Sequence, residues 1–294
     1  MMTVAGSHPR GRRREEDQEP TPSEPTKKVR VTKINLERGS TEEAAEYVAV
    51  EEPLDILLNG EFAATIFSSP TMRREHVVGY LLDEGIIAGV DEIEDLRISG
   101  AKARVRLSFD PTARLAAASV YKVVTTACGL WNPDFVRLLD RVDKPRVDSK
   151  YSVRTGDIAK MLDEFGRANS LWKATGGVHS ATVFEEGRVV GHGEDVGRHN
   201  AVDKAVGQAA LAGADFARCV AFSTGRQPAD MVLKLARVGV PIVVSNTSVI
   251  YSGIYAAEKT GVTLVGFARD SRLNIYTGRE RIILDDNSNQ SAAN

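Results

Sequence analysis

The sequence predicts an α/β fold with a smaller, strand-rich part at its N-terminal end. In the second half of the chain, short apolar strands alternate with amphipathic helices, which is typical of a mainly parallel sheet covered by helices. In the first half, strand patterns dominate around a single strong helix. A length of 294 residues, 42% of them hydrophobic, suffices for one large domain or two modest ones.

Residues 1–28 are expected to form a disordered tail. They are charged, proline-rich and nearly free of large apolar side chains, so they cannot bury enough surface to offset the entropy lost on ordering. The arginines at 12–14 resemble a twin-arginine export signal, but acidic residues follow at 15–17, where that signal requires an apolar segment. We therefore expect no signal peptide and a cytoplasmic location.

Residues 29–124 are expected to form an N-terminal α+β subdomain. Its predicted strands are 29–34, 47–52, the hairpin 54–67, and 92–98 paired with 103–109. The hairpin turns at Asn59-Gly60, because these residue types accept the positive φ angles of a tight turn. Apolar side chains on one face predict a helix over 71–85, ended by Gly85, and a weaker helical stretch follows around 111–122.

The remaining chain divides into a mobile cysteine loop with a connection (125–150), an α/β domain (151–284) and a flexible C-terminal tail (285–294). Small residues, Gly129 and Pro133 place the cysteine segment in a loop. In the α/β domain, the predicted helices are 157–166, 198–213, 228–239 and 248–261. The predicted strands are the hairpin 179–192, turning at Glu186-Gly187, and 219–223, 241–246 and 263–268.

Composition excludes several classes of protein. A net charge of −2 argues against coating nucleic acid by charge alone. No run approaches the roughly 18 apolar residues of a membrane helix. Two cysteines cannot build a disulfide framework or a zinc site of several thiolates.

Cys219 begins an apolar strand and is expected to be a buried hydrophobe, whereas Cys128 lies among small residues where a thiol stays accessible.

Three polar loops, each containing or directly following a glycine, come after predicted strands, which is where open α/β sheets bind ligands. The first, residues 223–228, contains Gly225 and Arg226 and opens a helix. Free backbone N–H groups and the positive end of the helix dipole favour an anion there, and Arg226 adds charge. Phosphate binding and a simple capped helix start with a solvated arginine are both open.

The second loop, residues 191–200, concentrates polar side chains beside flexible glycines. They are His192, Glu194, Asp195, Arg198, His199 and Asn200. We expect them to form a polar pocket wall, the alternative being a helix-cap network around Asp195 and Asn200. The spacing His192-Gly-Glu194 matches the H-x-E of zinc deaminases, but the P-C-x-x-C that those enzymes need downstream is absent.

The third loop consists of Phe267, Ala268, Arg269, Asp270, Ser271 and Arg272. Its two arginines suit bidentate contacts with phosphate or with the base edge of guanine. The structural alternative is a surface turn with compensated charge.

Several segments together resemble the FdhD family, the formate dehydrogenase accessory sulfur carriers. They are EEPLDILLNG (51–60), HVVGYLLDEGII (76–87), TACG (126–129), TGGVHSA (175–181), EDVGRHNAVDKAVG (194–207), STGR (223–226) and LVGFARDSRLNIYTG (264–278). The resemblance runs from about residue 30 to 284. It implies a cytidine-deaminase-like mixed sheet without zinc chemistry, a smaller strand-rich N-terminal part, and a homodimer.

The resemblance also implies an activity. It implies a sulfurtransferase that takes persulfide sulfur from a cysteine desulfurase on Cys128 and delivers it to the bis(molybdopterin guanine dinucleotide) cofactor, molybdenum or tungsten, used by formate dehydrogenase. It places cofactor contacts on 267–272 and, less specifically, on Gly225, Arg226 and His199. No tightly held metal, nucleic acid or membrane is expected. A cofactor-binding chaperone and a zinc-dependent deaminase are the alternatives.

The chain departs from the family at one position. The family often has C-x-x-C in this loop, and here Trp131 stands at the second position, so the corresponding disulfide cannot form. Carrying one sulfur atom requires one thiolate, so the carrier role survives the change. What the change affects is protection of the persulfide, or its release by a second thiol.

Overall fold

The computed structural model describes residues 24–117 and 145–285. It confirms the predicted α/β class: a six-stranded sheet and a four-stranded sheet carry helices, and two two-stranded sheets, one long and one short, accompany them. The strands of the N-terminal part are β1 (Thr26–Asn35), β2 (Ser40–Ala49), β3 (Glu52–Leu58), β4 (Glu61–Ser68), β5 (Ile93–Ser99) and β6 (Lys102–Leu107). The helix α1 (Arg73–Asp83) follows β4.

The second part of the chain supplies the larger sheet. Its helices are α2 (Thr155–Ala168), α3 (Ser170–Thr175), α4 (Arg198–Leu211), α5 (Ala229–Arg237) and α6 (Tyr251–Thr260). Its strands are β7 (Val153–Arg154), β8 (His179–Glu185), β9 (Arg188–Asp195), β10 (Cys219–Ser223), β11 (Ile242–Ser245), β12 (Thr263–Arg269), β13 (Arg272–Ile275) and β14 (Ile282–Ile283).

The six-stranded sheet is mixed, with strand order β13-β12-β11-β10-β8-β9. β10, β11 and β12 pair in parallel, whereas the pairings β12–β13, β10–β8 and β8–β9 are antiparallel. The expectation of a mainly parallel sheet was therefore wrong. A continuous apolar run indicates that a strand is buried on both faces, but it does not indicate the direction of the strand. An antiparallel strand that is buried on both faces has the same sequence pattern.

Helices cover both faces of this sheet, but only one face continues into the N-terminal part. α4, α5 and α6 pack on the first face, in a core that also contains Leu54, Val77 and Val105 from the N-terminal part. α2 covers the second face, where the Phe222 ring lies 5.8 Å from Phe165 and 5.3 Å from Phe184. The two parts of the chain therefore share one hydrophobic core.

α1 and α4 make the contact that joins the two parts. A Cβ atom on Gly79 would lie 1.7 Å from the carbonyl oxygen of Asp203, and one on Gly207 would lie 1.8 Å from that of Glu75. These distances are far below van der Waals contact, so the two backbones approach directly and only glycine fits at the crossing.

Two hairpin turns and the end of α1 were predicted correctly, because each depends only on residues that are adjacent in the sequence. Asn59 and Gly60 have φ values of 50° and 91°, and Glu186 and Gly187 have 49° and 82°, which confirms both predicted hairpin turns. Gly85 follows α1 with a φ of 71°, and its amide donates to the Leu82 carbonyl at 2.9 Å, so it ends the helix as expected.

Other boundaries differ from the prediction. β1 begins at Thr26, inside the expected tail of residues 1–28, and β2 begins at Ser40 rather than at residue 47. α3 and β13 were not predicted. β2 is mostly exposed and rich in Glu and Ala, so it shows no apolar period from which a strand could be recognised. The boundaries proposed at residues 124 and 150 stay predictions, since 118–144 lies outside the described residues.

Candidate functional site

The polar loops lie together at one end of the strands of the six-stranded sheet. β9, β10, β11 and β12 point in the same direction, because β8 is antiparallel to both β9 and β10 and the other three strands are mutually parallel. Their carboxyl ends therefore meet at one edge, together with the start of β8. The structure brings all three sequence-predicted loops to this edge, which we call the carboxyl edge.

The loop after β10 is held rigidly by its neighbours. The Thr224 hydroxyl accepts a hydrogen bond from the Ser180 amide at 3.0 Å, and the Ser245 hydroxyl donates to the Gly225 carbonyl at 2.8 Å. Gly225 has to be glycine here, since an added Cβ would lie 2.9 Å from Cβ and 3.0 Å from Cδ of Arg198. The stem of Arg198 thus crosses directly over the loop, while Arg226 is exposed.

Two histidines lie at the carboxyl edge. Nε2 of His199, in the first turn of α4, is 2.8 Å from Oδ2 of Asp230, in the first turn of α5. Nδ1 of His179, at the start of β8, is 3.1 Å from the Thr224 hydroxyl. Burial lowers the pKa of His179, and the positive charges of Arg198 and Arg226 lower it further, so its imidazole is neutral at pH 7.

Asp230 is the acidic partner in this cationic surrounding. Burial alone would raise the pKa of its carboxyl, but the hydrogen bond and the charge of His199 hold that pKa below its usual range. Asp230 is therefore ionised at neutral pH. Arg198 adds an unpartnered donor: its Nε is buried and has no hydrogen-bond acceptor among the described residues.

Some polar residues of the second loop lie at the carboxyl edge, and others make structural contacts elsewhere. Of its polar residues, the structure places Arg198 and His199 at the carboxyl edge. Glu194 instead accepts hydrogen bonds from the amides of Leu171 and Trp172, at 2.9 and 2.8 Å, and so caps α3. Its Oε2 also lies 4.0 Å from Nε2 of His192, whose Nδ1 is 2.8 Å from the Thr182 hydroxyl. Among residues 24–117 and 145–285, no cluster of three or more His, Cys, Asp or Glu side chains could hold a metal ion.

Asp195 and Asn200 serve the scaffold, although neither caps α4 as the helix-cap alternative expected: the N-cap residue is Gly197, and it makes no side-chain cap hydrogen bond. Oδ1 of Asp195 accepts from the Gly197 amide and from the Asn200 side chain, both at 2.9 Å. Its Oδ2 lies 2.6 Å from Nζ of Lys204, and both side chains are fully buried. The same carboxylate accepts from the Ser69 amide at 2.9 Å, so this network ties α4 to the N-terminal part. The pocket-wall interpretation was wrong for these two residues.

The third loop follows β12 with an irregular backbone. Phe267 and Asp270 have positive φ values of 50° and 56°, which are uncommon outside glycine, and the β12–β13 register shifts between Gly266 and Arg269. Ala268 is 1% exposed and packs into the core, so its side chain cannot contact a ligand. The four residues that follow are exposed: Arg269, Asp270, Ser271 and Arg272.

Sequence reasoning missed Asp230. Asp230 lies inside a segment that shows only a good helix start, and its pairing with a residue of another helix has no local signature. The sole available signal was an acidic residue in the first turn after a glycine-bearing loop. Cys128 and Trp131 lie outside the described residues. Cys219 is buried and donates to the Asp215 carbonyl at 3.3 Å, as its strand position predicted.

Among the described parts of the chain, no helix is long and apolar enough to cross a membrane.

Comparison with known proteins identifies the relatives of this chain. Residues 49–283 match the family model described as the FdhD/NarQ family. A "Sulfur carrier protein FdhD" of Methanothermobacter thermautotrophicus is 37% identical over 233 residues, covering 78% of this chain and 88% of that protein. A protein of the same name from Thermoplasma acidophilum is 36% identical over 259 residues, covering 82% and 88%.

A solved structure shows the same fold. It is a crystal structure from Desulfotalea psychrophila, described as a formate dehydrogenase accessory protein. It is 28% identical to this chain, with a TM-score of 0.70, and the match covers 88% of this chain and 99% of that one.

Proposed function

The chain belongs to the FdhD/NarQ family, and we propose that it is a sulfur carrier protein that serves formate dehydrogenase. The observation that carries the proposal is the extent of the match: residues 49–283 include the whole carboxyl edge, from His179 to Arg272. Two relatives are named sulfur carriers, and the related crystal structure is described as a formate dehydrogenase accessory protein.

In the proposed reaction, Cys128 accepts sulfur from the persulfide of a cysteine desulfurase. The Cys128 thiolate attacks the terminal sulfur of that persulfide, a new S–S bond forms, and the desulfurase cysteine leaves as its thiolate. Oxidation states balance, since the transferred atom stays sulfane sulfur. Cys128 now carries a persulfide, and the bis(molybdopterin guanine dinucleotide) cofactor is the substrate that receives its terminal sulfur. In that delivery the S–S bond breaks, Cys128 leaves as its thiolate, and the transferred sulfur becomes sulfide by taking up two electrons from the reduced metal of the cofactor.

The other cysteine is unsuited to this role. Burial raises the pKa of the Cys219 thiol to about 12, and the charges of Glu185 and Asp215 contribute to the rise. Because the thiolate is the attacking species, such a thiol is inert at neutral pH. The sequence contains only Cys128 besides it.

The carboxyl edge supports binding of the cofactor's nucleotide and pyrophosphate. Arg198 in the first turn of α4 and Arg226 in the loop before α5 supply positive charge, and the N-terminal end of α4, where His199 also lies, favours anions. The buried, unpartnered Nε of Arg198 fits a bound ligand, since a donor left unsatisfied in a folded protein costs free energy. We propose that the exposed Arg269 and Arg272 extend the same site.

A cofactor-binding chaperone remains the second candidate, because Trp131 replaces the second cysteine of the family's loop. A zinc-dependent deaminase is not retained. Its required glutamate would be Glu194, whose carboxylate accepts two amides of α3, and the P-C-x-x-C that such enzymes need is absent from the sequence.

Intact-mass analysis tests the carrier role. After incubation with a cysteine desulfurase and cysteine, the parent protein should gain about 32 Da, one sulfur atom as a persulfide, and lose it on treatment with a thiol reductant. The matched control Cys219→Ala should gain the same mass. Cys128→Ala should gain none. A gain in Cys128→Ala equal to the parent's would exclude Cys128 as the carrier and leave the chaperone.

A further inference from the structure

We infer that Thr224 is a positioning residue that fixes which nitrogen of the His179 ring carries the proton, so that His179 donates Nε2–H to an anionic oxygen of the ligand at the carboxyl edge. The inference rests on the proposed function, because it assigns two roles within the proposed nucleotide site. It goes beyond that function by adding an uncharged donor to a site otherwise built from cations. No group has to change its protonation for this contact to form.

The hydroxyl of Thr224 is held between two residues of β8. Its oxygen accepts a hydrogen bond from the Ser180 amide at 3.0 Å. Its own proton can reach Nδ1 of His179 at 3.1 Å or the Ser180 carbonyl at 3.5 Å. The shorter contact is the stronger one, because hydroxyl donors prefer distances below about 3 Å and lose strength beyond it. The Thr224 hydroxyl therefore donates to Nδ1 of His179.

This hydrogen bond determines the tautomer of the ring. A neutral imidazole carries one proton, and the nitrogen that accepts a hydrogen bond cannot carry it. Burial and the nearby arginines lower the pKa of His179, so the ring is neutral at pH 7. The single proton is therefore on Nε2, and that atom is a donor on the side of the ring away from Thr224.

Nε2 of His179 is open to a ligand. No described residue makes a hydrogen bond to it, in contrast to Nδ1. The buried side-chain nitrogens that lack a partner include Nε2 of His192 but neither nitrogen of His179. Nε2 of His179 is thus not enclosed by the described protein, and a ligand at the carboxyl edge can reach it.

The surroundings of this donor favour an anion. The positive charges of Arg198 and Arg226 are close enough to lower the pKa of His179. Asp195 acts in the opposite sense, but its charge is balanced by the buried Lys204 at 2.6 Å. The buried Nε of Arg198 also lacks an acceptor among the described residues. An anionic oxygen would be attracted by the arginines, and the neutral ring adds a directed contact without adding charge repulsion.

Two variants of His179 test the position of the donor in calorimetric titration with GDP-mannose, whose pyrophosphate resembles the linkage of the cofactor. His179→Gln places an amide N–H near the position of Nε2, whereas His179→Asn places one near the position of Nδ1. His179→Gln should bind within about threefold of the parent. His179→Asn should bind about tenfold more weakly, the effect of one hydrogen bond to a charged acceptor.

Variants of Thr224 separate positioning from support of the loop. Thr224→Ser keeps the hydroxyl and should bind within about twofold of the parent. Thr224→Val should bind about threefold to tenfold more weakly, because fewer rings carry the proton on Nε2. Combined with His179→Asn, it should cost little more, whereas a residue that only held the loop would cost the same in both backgrounds. The control Thr65→Val removes an exposed threonine hydroxyl of β4 and should match the parent.

Nitrogen NMR of the histidine-labelled parent reads the tautomer directly. The His179 signals are those that disappear in His179→Gln. They should show a protonated Nε2 and an unprotonated Nδ1, and the Nε2 signal should shift when GDP-mannose is added. In Thr224→Val, the same ring should show a mixture of both tautomers. The measurement on the parent decides the question even if Thr224→Val does not fold.

Two results overturn the inference in distinguishable ways. If the parent binds GDP-mannose but Nδ1 carries the proton, or the two His179 variants bind equally, His179 is not this donor and the proposed nucleotide site stands. If the parent does not bind GDP-mannose, the proposed nucleotide site itself is wrong, and the inference falls with it. Sulfur loading of Cys128 is independent of both results.

Discussion

His76 shows how strongly this interior controls a titratable side chain. It is fully buried in α1, and neither ring nitrogen has a hydrogen-bond partner among the described residues. Burial, and then the positive charges of Lys204 and Lys234, lower its pKa to about 3. In the unfolded chain, an ordinary histidine has a pKa of about 6.5. Below pH 6.5 the unfolded state therefore binds a proton that the folded state refuses, and stability is lost as pH falls toward 3.

Replacing His76 should flatten this pH dependence. Between about pH 7 and pH 5, His76 should account for a loss of about 2 kcal/mol in the free energy of unfolding. We expect the parent to lose that much more than His76→Leu when urea unfolding is measured at both values. Asp83, a buried carboxyl whose pKa burial raises, has the opposite dependence but is present in both proteins and cancels. Equal losses in the two proteins would contradict the account.

Single residues were predictable from sequence where the reason is local. The burial of Cys219 followed from its apolar strand, and the structure confirms it. The scaffold role of Glu194 did not follow, because the α3 amides that it caps lie more than twenty residues away. Asp230 was missed for the same reason: its partner His199 is on another helix, 31 residues earlier.

At the scale of elements, the crossing of α1 and α4 explains two of the segments by which the family is recognised. HVVGYLLDEG lies on α1 and EDVGRHNAVDKAVG runs into α4. Their glycines at 79 and 207 meet at the crossing, where any side chain would collide with the opposite backbone. Much of this distinctive sequence therefore serves packing, and only the first turn of α4 faces the carboxyl edge.

The crossing predicts opposite effects for two helical glycines. Gly207→Ala should destabilise the protein by about 2 kcal/mol or more, because its Cβ cannot be placed without separating the helices. Gly166→Ala in α2 is the matched control: nothing lies within 4 Å of its added Cβ. It should stabilise by about 0.5–1 kcal/mol through helix propensity. Thermal unfolding followed by circular dichroism measures both, and equal effects would refute the close crossing.

Secondary-structure features were predicted correctly where adjacent residues determine them, and incorrectly where distant parts of the chain determine them. The hairpin turns at Asn59-Gly60 and Glu186-Gly187 depend on two adjacent residues and were predicted correctly. Strand direction depends on partners far along the chain, so the antiparallel pairing of β8 with β10 was not foreseen. The start of β2 was predicted at residue 47, whereas the strand begins at Ser40, because its sequence is polar on both faces.

At the scale of the whole molecule, the shared core sets a rigid frame for the carboxyl edge. The buried Lys204–Asp195 pair and its contacts with Ser69 and Thr71 fix the N-terminal part against α4. The edge itself collects cations from three elements, which suits an anionic substrate. The frame and its cations are described by the structure, whereas sulfur transfer by Cys128 is proposed from the family.

Transfer of labelled sulfur tests the central claim most directly. The protein is loaded with radiolabelled sulfur by a cysteine desulfurase, purified, and mixed with inactive formate dehydrogenase from a host that lacks this family. We predict that label leaves the protein and formate dehydrogenase activity appears, with Cys219→Ala equal to the parent and Cys128→Ala inactive in both respects. Restoration of activity by Cys128→Ala to the parent's level would contradict the sulfur-carrier account.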